Sequence, residues 1–247
     1  MKYTDEDRLE HKIRKLFNKG VTEYGLLEDG DHILIGLSGG KDSLALLEFM
    51  AQRAKIYRPQ IKVTALHVRM SNINYESDTQ YLKDFASAHN VELVVRETGF
   101  NPDTDKRKSP CFLCSWNRRK MLFTVAQELG CNKIALGHHQ DDILHTTLLN
   151  LTFQGQFSTM PALLKMRKFP ITIIRPFCMV EEKYISEWSR IRNYQQQIKR
   201  CPFEKDSNRT DIKDIFERIE QLNKEARRSI WNALEQNGKL IELPNNE

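Results

Sequence analysis

The fold of this chain is decided by the stretch Ile33-Leu34-Ile35-Gly36-Leu37-Ser38-Gly39-Gly40-Lys41-Asp42-Ser43. Three branched apolar residues lead into a Ser-Gly-Gly turn, and an apolar-periodic segment follows, which predicts a buried strand, a tight loop and a helix start. Glycine lets a ligand approach the backbone because it has no Cβ, and a helix start points N–H groups at an anion. The stretch therefore predicts a phosphate-binding loop.

The spacing of this loop differs from that of the Walker pattern, and no Gly-x-Gly-x-x-Gly is present. It resembles the signature loop of the PP-loop pyrophosphatase superfamily, whose members split ATP between the α and β phosphates and adenylate a substrate. An ordinary strand-to-helix turn is the alternative, but such a turn needs one glycine and has no use for Ser, Lys and Asp together. The resemblance implies ATP binding by Leu37, Ser38, Gly39, Gly40, Lys41, Asp42 and Ser43, with Lys41 and Asp42 in catalysis.

The composition is that of a globular protein without a disulfide framework. Of its 247 residues, 40% are hydrophobic and 29% are charged, and no apolar run is long enough to span a membrane. The first residues lack a signal-peptide core, so we expect a cytoplasmic protein with no membrane partner. Five cysteines, an odd number, favour metal or reactive-thiol chemistry, and the net charge of +5 permits a nucleic-acid partner.

Apolar runs that read as strands alternate with helical patterns along the chain. The predicted strands are His32–Leu37, Lys62–Val68, Val91–Val95, Lys133–Leu136 and Ile171–Ile174, and helices are expected between them, including Met121–Leu129. This order predicts an α/β fold, a parallel sheet with helices on both faces, and ligands at the carboxyl ends of its strands. With the superfamily resemblance, it implies a Rossmann-like PP-loop domain of the adenine nucleotide alpha hydrolase type.

Three segments are predicted along the chain. A helical segment occupies residues 1–28, the ATP-binding domain residues 29–190, and a C-terminal segment with the last cysteine residues 191–247. In that last segment, apolar residues recur at helical spacing, which predicts one charged amphipathic helix from about Asp211 to Gln236.

A second motif, Gly137-His138-His139-Gln140-Asp141-Asp142, follows the predicted fourth strand directly. Gly137 permits a close backbone approach, and two carboxylates suit a Mg²⁺ ion that bridges ATP phosphates. Asp142 could instead cap the next helix, and a metal cluster of His138, His139 and His145 is a further alternative. The motif resembles one found in PP-loop enzymes that modify tRNA, which implies nucleotide binding by Gly137, His138, Asp141 and Asp142.

The cysteines narrow the chemistry. Cys111 and Cys114 form a Cys-x-x-Cys unit, and Cys201 follows far downstream. Such a unit can be half of a zinc site, a redox pair or part of an iron–sulfur site, and the absence of a second Cys-x-x-Cys weakens the zinc alternative. Cys131 and Cys178 lie in apolar settings and are expected to be buried.

Taken in order, the motifs Ser-Gly-Gly-Lys-Asp-Ser, Pro-Cys-x-x-Cys, Leu-Gly-His-His-x-Asp-Asp, Ile-Arg-Pro and a late cysteine are similar to those of the tRNA 2-thiocytidine synthetase family. The resemblance covers about residues 25–205. It implies that Cys111, Cys114 and Cys201 hold a 4Fe–4S cluster with one open iron, and that His67 borders the adenine; a packed His67 is the alternative. Family members often carry a second late Cys-x-x-Cys, which is missing here, so Cys178 competes with Cys201 as third ligand.

The resemblance also implies a reaction and its partners. ATP would adenylate the C2 oxygen of a tRNA cytidine, and sulfur from the cluster would replace that oxygen and release AMP. The implied partners are tRNA and a sulfur-donor system, either a cysteine desulfurase or sulfide, and a homodimer is allowed. Trp116 or Phe112 could stack on the base. Phosphate contacts are expected from Lys106–Lys108, Arg118–Lys120, Lys165–Lys168, Arg190, Arg192, Lys199–Arg200 and Arg227–Arg228. A solvated face is the more common role of any single cluster, and the proximity of several clusters to the cysteines in the sequence favours RNA binding for the set.

Three alternatives stay open from the sequence. A PP-loop ligase would join an amine to an adenylated substrate, and its cysteines would be structural. A thiolase of the same superfamily could use a Cys111–Cys114 persulfide or disulfide relay without a cluster. A non-catalytic RNA-binding protein with a metal site would not release pyrophosphate from ATP.

Overall fold

A computed structural model describes residues 4–75, 79–101, 109–200 and 208–244. The helices are α1 Asp5–Glu23, α2 Lys41–Ala54, α3 Gln80–Ala88, α4 Pro110–Glu128, α5 Gln140–Gln154, α6 Glu182–Ile191, α7 Asn208–Leu222 and α8 Ala226–Gln236. The strands are β1 His32–Gly36, β2 Lys62–Met70, β3 Asn74–Tyr75, β4 Glu92–Thr98, β5 Lys133–Ala135, β6 Leu163–Lys165, β7 Thr172–Ile174, β8 Lys199–Arg200 and β9 Ile241–Glu242.

Within these ranges the main sheet has the order β4-β2-β1-β5-β7-β6-β9. The pairs from β4 to β7 are parallel, whereas β6 runs antiparallel to β7. The two short strands β3 and β8 form a separate antiparallel pair. The predicted α/β fold with a mostly parallel sheet is confirmed.

Both faces of the sheet are buried, because helices cover each of them. Ile33 and Ile35 of β1 belong to an apolar cluster with Phe17 of α1, while Leu34 points to a second cluster that contains Phe123 of α4. Successive side chains of β1 thus point to opposite faces of the sheet and contribute to both apolar clusters, as expected for a parallel strand covered on two sides. No helix in the described ranges has the length and apolar character that a bilayer crossing requires.

Two predicted helices differ from the observed ones. The helix expected over Met121–Leu129 begins at Pro110, because Ser109 caps it by accepting from the Phe112 N–H at 3.2 Å and proline suits the first helical turn. The Cys-x-x-Cys unit therefore lies in the first turns of α4. The single helix expected over Asp211–Gln236 is two helices, since the chain turns between Leu222 and Ala226.

The three-segment division of the chain stays a prediction. The first core cluster contains Leu9 and Ile13 of α1, and it also contains Leu234 and Leu240 near the chain end. In addition, β9 pairs with β6 and extends the sheet. The outer segments therefore share apolar contacts with the ATP-binding part.

Candidate active site

The Ser38–Ser43 loop leaves β1 and enters α2 at the carboxyl edge of the sheet. Gly39 has a φ of +85°, which favours glycine, and Gly40 is the N-cap of α2. The Ser43 hydroxyl accepts from the Gly39 N–H at 3.1 Å, and the Ser38 hydroxyl accepts from the Gly40 N–H at 3.3 Å. The loop is thus held in a closed turn by its own hydroxyls, beside the positive end of a helix.

Gly137 joins the second motif to this loop. A Cβ at Gly137 would lie 2.9 Å from the carbonyl oxygen of Asp42 and 3.0 Å from its carbonyl carbon. Both atoms belong to the backbone and cannot move aside as a side chain would. Gly137 therefore makes the close approach that the sequence predicts, and it makes it to the backbone of the first turn of α2. This contact places the two motifs side by side.

Carboxylates bind the lysine of the loop. Lys41 Nζ lies 3.1 Å from Asp42 and donates to Glu182 Oε1 at 3.1 Å, while Lys213 of α7 donates to the other Glu182 oxygen at 3.2 Å. Burial alone would lower the pKa of Lys41, but Asp42 and Glu182 outweigh it and raise that pKa. Lys41 is therefore a charged, ion-paired cation beside the loop.

The two aspartates of the second motif have different partners. Asp142 accepts from the His139 N–H at 3.0 Å in a capping box at the start of α5, so the capping alternative matches the geometry. Asp141 accepts from the Glu182 N–H at 2.7 Å and from Arg227 Nη2 at 2.8 Å. Burial opposes ionisation of Asp141, yet Arg227 and the Glu182 N–H hold its pKa below the usual range. The magnesium site stays a prediction.

His67 is packed beneath the loop. The residue is 1% exposed, and its Nδ1 donates to the carbonyl oxygen of Leu37 at 2.7 Å. Burial lowers the pKa of His67, so the ring is neutral at pH 7. The packed alternative thus describes its position, and contact with adenine stays a prediction.

Cys111 and Cys114 line a cavity of about 650 Å³ at the same edge of the sheet. Cys111 is exposed and Cys114 is half-buried, and their spacing places both thiols on one face of α4. The cavity is also lined by Arg118, Arg119, His138 and Arg175. Cysteine sulfurs are the usual protein ligands of iron–sulfur clusters, so this pair fits a metal group held by cysteines.

Of the other cysteines, the two that the structure describes, Cys131 and Cys178, do not line this cavity. Cys178 is buried beneath α1, where its Sγ would lie 2.9 Å from a Cβ on Gly20, and Cys131 is buried in the second core cluster. Burial raises the pKa of Cys131 to about 11 and that of Cys178 to about 12. Cys178 is therefore poorly placed to compete as a third ligand; Cys201 lies outside the described residues.

The three histidines considered as a metal cluster have separate partners. His138 Nδ1 accepts from Arg175 at 3.3 Å, His139 caps α5, and the His145 ring packs 5.2 Å from that of Phe216. In the part of the chain that the structure describes, no three His, Cys, Asp or Glu side chains form a metal-binding group. The histidine-cluster alternative is therefore wrong.

Four residues near these motifs were not singled out from the sequence for these contacts. Gln197 donates its N–H to the Gly39 carbonyl at 2.9 Å, and Glu182 and Arg227 bind Lys41 and Asp141. Arg175 belongs to the Ile-Arg-Pro motif, which was the only signal for it. The sequence predicts that Arg227 faces RNA, but its guanidinium binds Glu220 at 2.8 Å as well as Asp141, so it is a half-buried, ion-paired cation.

The remaining residues proposed for RNA lie mostly on the surface. Trp116 and Phe112 are exposed on α4, and Lys120 Nζ lies 5.4 Å from the centre of the Trp116 ring. Arg192 is bound to Glu48 at 3.3 Å, and Lys106–Lys108 lie outside the described residues. RNA contacts by these groups stay predictions.

Comparison with known proteins agrees with this geometry. The family model of the PP-loop domain matches residues 5–218. A protein of Geobacter metallireducens named tRNA-cytidine(32) 2-sulfurtransferase is 32% identical over 241 residues, which cover 95% of this chain and 92% of that protein. A protein of the same name from Syntrophotalea carbinolica is 33% identical over 233 residues, which cover 93% and 90%.

A solved structure shows the same fold. The U34-tRNA thiolase NcsA from Methanococcus maripaludis, with its 4Fe–4S cluster, aligns with a TM-score of 0.80 at 23% identity and covers 99% of this chain and 84% of that one. The phosphate loop, the Gly137 motif and the sequence relatives lead to one conclusion: this chain belongs to the PP-loop family, in its group of tRNA-cytidine 2-sulfurtransferases.

Proposed function

We propose that this protein thiolates tRNA: it uses ATP to adenylate the C2 oxygen of cytidine 32 and replaces that oxygen with sulfur. One observation carries the proposal. Gly137 packs against Asp42 of the phosphate loop, and the next residue, His138, lines the cavity that holds Cys111 and Cys114. A base in that cavity lies within reach of both the ATP loop and the thiols.

The first half of the reaction is a phosphoryl-type transfer. The cytidine C2 oxygen attacks the α-phosphate of ATP, the bond to the bridging oxygen breaks, and pyrophosphate leaves with the electron pair. Lys41 and the α2 N-terminus stabilise the charge that develops on pyrophosphate, since fixed donors need no reorganisation during the reaction. Lys41 exchanges a carboxylate of Asp42 or Glu182 for a phosphate oxygen as ATP binds.

A Mg²⁺ ion would neutralise charge on the phosphates when bound. Asp142 is the better candidate ligand of the two aspartates, because its side chain is 32% exposed and that of Asp141 is 13% exposed. Both Asp141 oxygens already accept hydrogen bonds, so we assign Asp141 to holding Glu182 and Arg227 in place.

The second half needs a sulfur nucleophile beside the activated carbon. Cys111, Cys114 and Cys201 are the proposed ligands of a 4Fe–4S cluster, which would supply sulfide when bound. The cavity contributes apolar walls from side chains such as Leu122, Phe123 and Met160, and a bound base would cover these walls and reduce the access of water to the activated carbon. Exclusion of water matters because hydrolysis would regenerate cytidine and waste the ATP.

An anticodon-loop base has to leave its stack to enter the cavity. Trp116 and Phe112 are exposed on the helix that carries the cysteines, so either ring could stack on the displaced base. Lys120 beside Trp116 adds a cation for the RNA backbone. The sulfur donor to the enzyme, a cysteine desulfurase or sulfide, is proposed on family grounds alone.

The test uses protein reconstituted anaerobically with iron and sulfide, ATP and tRNA that lacks thiolation. We expect an iron–sulfur absorbance band and one sulfur-containing cytidine, detected by mass spectrometry at position 32. Cys111→Ala should lose thiolation and retain ATP binding, because the loop is untouched. Cys131→Ala is the matched control, since it removes a thiol outside the cavity. Normal thiolation by Cys111→Ala would overturn the cluster assignment.

A further inference from the structure

Arg175 is a buried cation at the carboxyl end of β7. Its side chain lines the cavity of Cys111 and Cys114 and is only 6% exposed. Nε donates to His138 Nδ1 at 3.3 Å, and Nη1 donates to the carbonyl of Pro161. These contacts fix the plane of the guanidinium at the cavity wall.

No carboxylate of the described residues forms an ion pair with this cation. Across residues 4–75, 79–101, 109–200 and 208–244, no carboxylate oxygen lies within 4.0 Å of the Arg175 guanidinium, and Nη2 has no hydrogen-bond acceptor. A buried charge ordinarily has a partner of opposite sign, because desolvation is costly. Burial and nearby Arg119 lower the pKa of Arg175 to about 10, although the more distant Asp142 carboxylate acts in the opposite direction, so Arg175 still carries its proton at pH 7.

The rest of the cavity has two chemical characters. Apolar side chains form one part, and Arg118, Arg119 and Arg175 add positive charge, while none of the described lining residues is acidic. Its volume of about 650 Å³ lies in the range of about 300–1,000 Å³ that small-molecule sites occupy. Such a cavity fits an aromatic ring that bears an anionic group.

We propose that Arg175 is a catalytic residue that binds the phosphate joining AMP to the activated cytidine. The inference rests on the proposed function and assigns a residue to its second half. When the C2–oxygen bond breaks, its electron pair goes to the oxygen that leaves as part of AMP, and the C2–sulfur bond forms without any oxidant or reductant. Arg175 then stabilises the negative charge gained by the departing phosphate. A planar guanidinium suits this role because it can donate two parallel hydrogen bonds to one phosphate.

The test compares the affinities of AMP and adenosine by calorimetry, with the reconstituted protein and no tRNA. The wild type should bind AMP more tightly than adenosine. Arg175→Gln should weaken AMP binding by about 10-fold or more, as expected for a lost charged hydrogen bond, and change adenosine binding less than about twofold. The AMP affinity of Arg175→Lys should lie between those of the wild type and Arg175→Gln. Arg8→Gln, on the exposed face of α1, is the matched control and should change neither.

An unchanged AMP affinity in Arg175→Gln, or equal losses for AMP and adenosine, would overturn the proposal. If Arg175→Gln does not fold, Arg175→Lys decides the question: its AMP affinity must fall several-fold while adenosine affinity holds. Failure of tRNA thiolation by the wild type would contradict the proposed function. The comparison of AMP and adenosine affinities would still show whether Arg175 binds the phosphate. Conversely, normal thiolation with phosphate-independent binding would overturn only the role of Arg175.

Discussion

The Ser38–Ser43 loop and the cavity of Cys111 and Cys114 lie at one edge of the sheet, but the cations in the two regions have different partners. At the loop, Lys41 is bound by Asp42 and Glu182, and the nearby Arg227 is bound by Asp141 and Glu220. At the cavity, Arg175 has a histidine nitrogen and a carbonyl as its hydrogen-bond partners.

The loop is therefore assembled before ligand binding, whereas the cavity retains a cation that can still bind an anion. The carboxylates around the loop fix its cations before any nucleotide arrives, and they link α7 and α8 to the ATP site. The cavity keeps Arg175 without an ion pair among the described residues, and we propose that an incoming anion supplies that partner. Under the proposed function, binding of a phosphate there would offset the cost of burying the charge.

The largest expected effect on stability comes from breaking the ion pair between Arg227 and Asp141. Arg227→Met leaves Asp141 buried without its cation, and the free energy of unfolding should fall by about 3 kcal/mol. Arg228→Met is a control at the adjacent position, since Arg228 is 78% exposed and binds the exposed Glu225. Its cost should stay within about 0.5 kcal/mol. Equal losses in urea denaturation would show that the Arg227 pair is not part of the preassembled site.

A second, smaller effect is expected where the two motifs touch. Gly137→Ala drives a Cβ into the Asp42 backbone, so stability should fall by about 2 kcal/mol, and ATP affinity should fall with it. Gly40→Ala is the matched control for stability, because its Cβ would meet only Ser38 Oγ, at 3.6 Å. Thermal melts of both proteins measure the difference. A Gly137→Ala protein as stable as the Gly40→Ala protein would contradict the rigid contact between the motifs.

The smallest effect concerns competition for Lys41. Glu182→Gln removes a carboxylate that binds Lys41, so pyrophosphate should bind about two- to fivefold more tightly. Lys213→Met removes the other cation that binds Glu182 and should weaken pyrophosphate binding by a similar factor, because Glu182 is then left to Lys41. Calorimetric titration with pyrophosphate checks both signs. Changes in the same direction for the two variants would refute the competition.

Local signals account for the parts that the sequence predicts well. The β1 strand, its glycine loop and α2 follow from one contiguous pattern, and Gly137 follows a short apolar strand. The residues of each motif are contiguous and directly follow a strand, so the sequence alone predicts that both motifs lie at the carboxyl edge of the sheet. The early start of α4 was also readable, since Ser109-Pro110 is a capping signal.

Long-range pairing explains what the sequence does not reveal. Glu182 reaches Lys41 across 141 positions of the chain, and Arg227 reaches Asp141 across 86. Nothing in the residues around Arg227 distinguishes it from exposed Arg228, because only packing decides which of the two is half-buried and ion-paired to Asp141. The lack of an ion pair at Arg175 among the described residues is likewise a property of its neighbours in space.

The central claim is that the loop and the cysteine cavity act in turn on one cytidine, and Cys111→Ala separates the two steps. Incubated with ATP and unmodified tRNA, this variant should release pyrophosphate in a tRNA-dependent burst and leave AMP attached to cytidine 32, without sulfur. Mass spectrometry of the tRNA fragments, with pyrophosphate assayed in parallel, measures both. Sulfur at wild-type levels in that cytidine, or no tRNA-dependent release of pyrophosphate, would contradict the account.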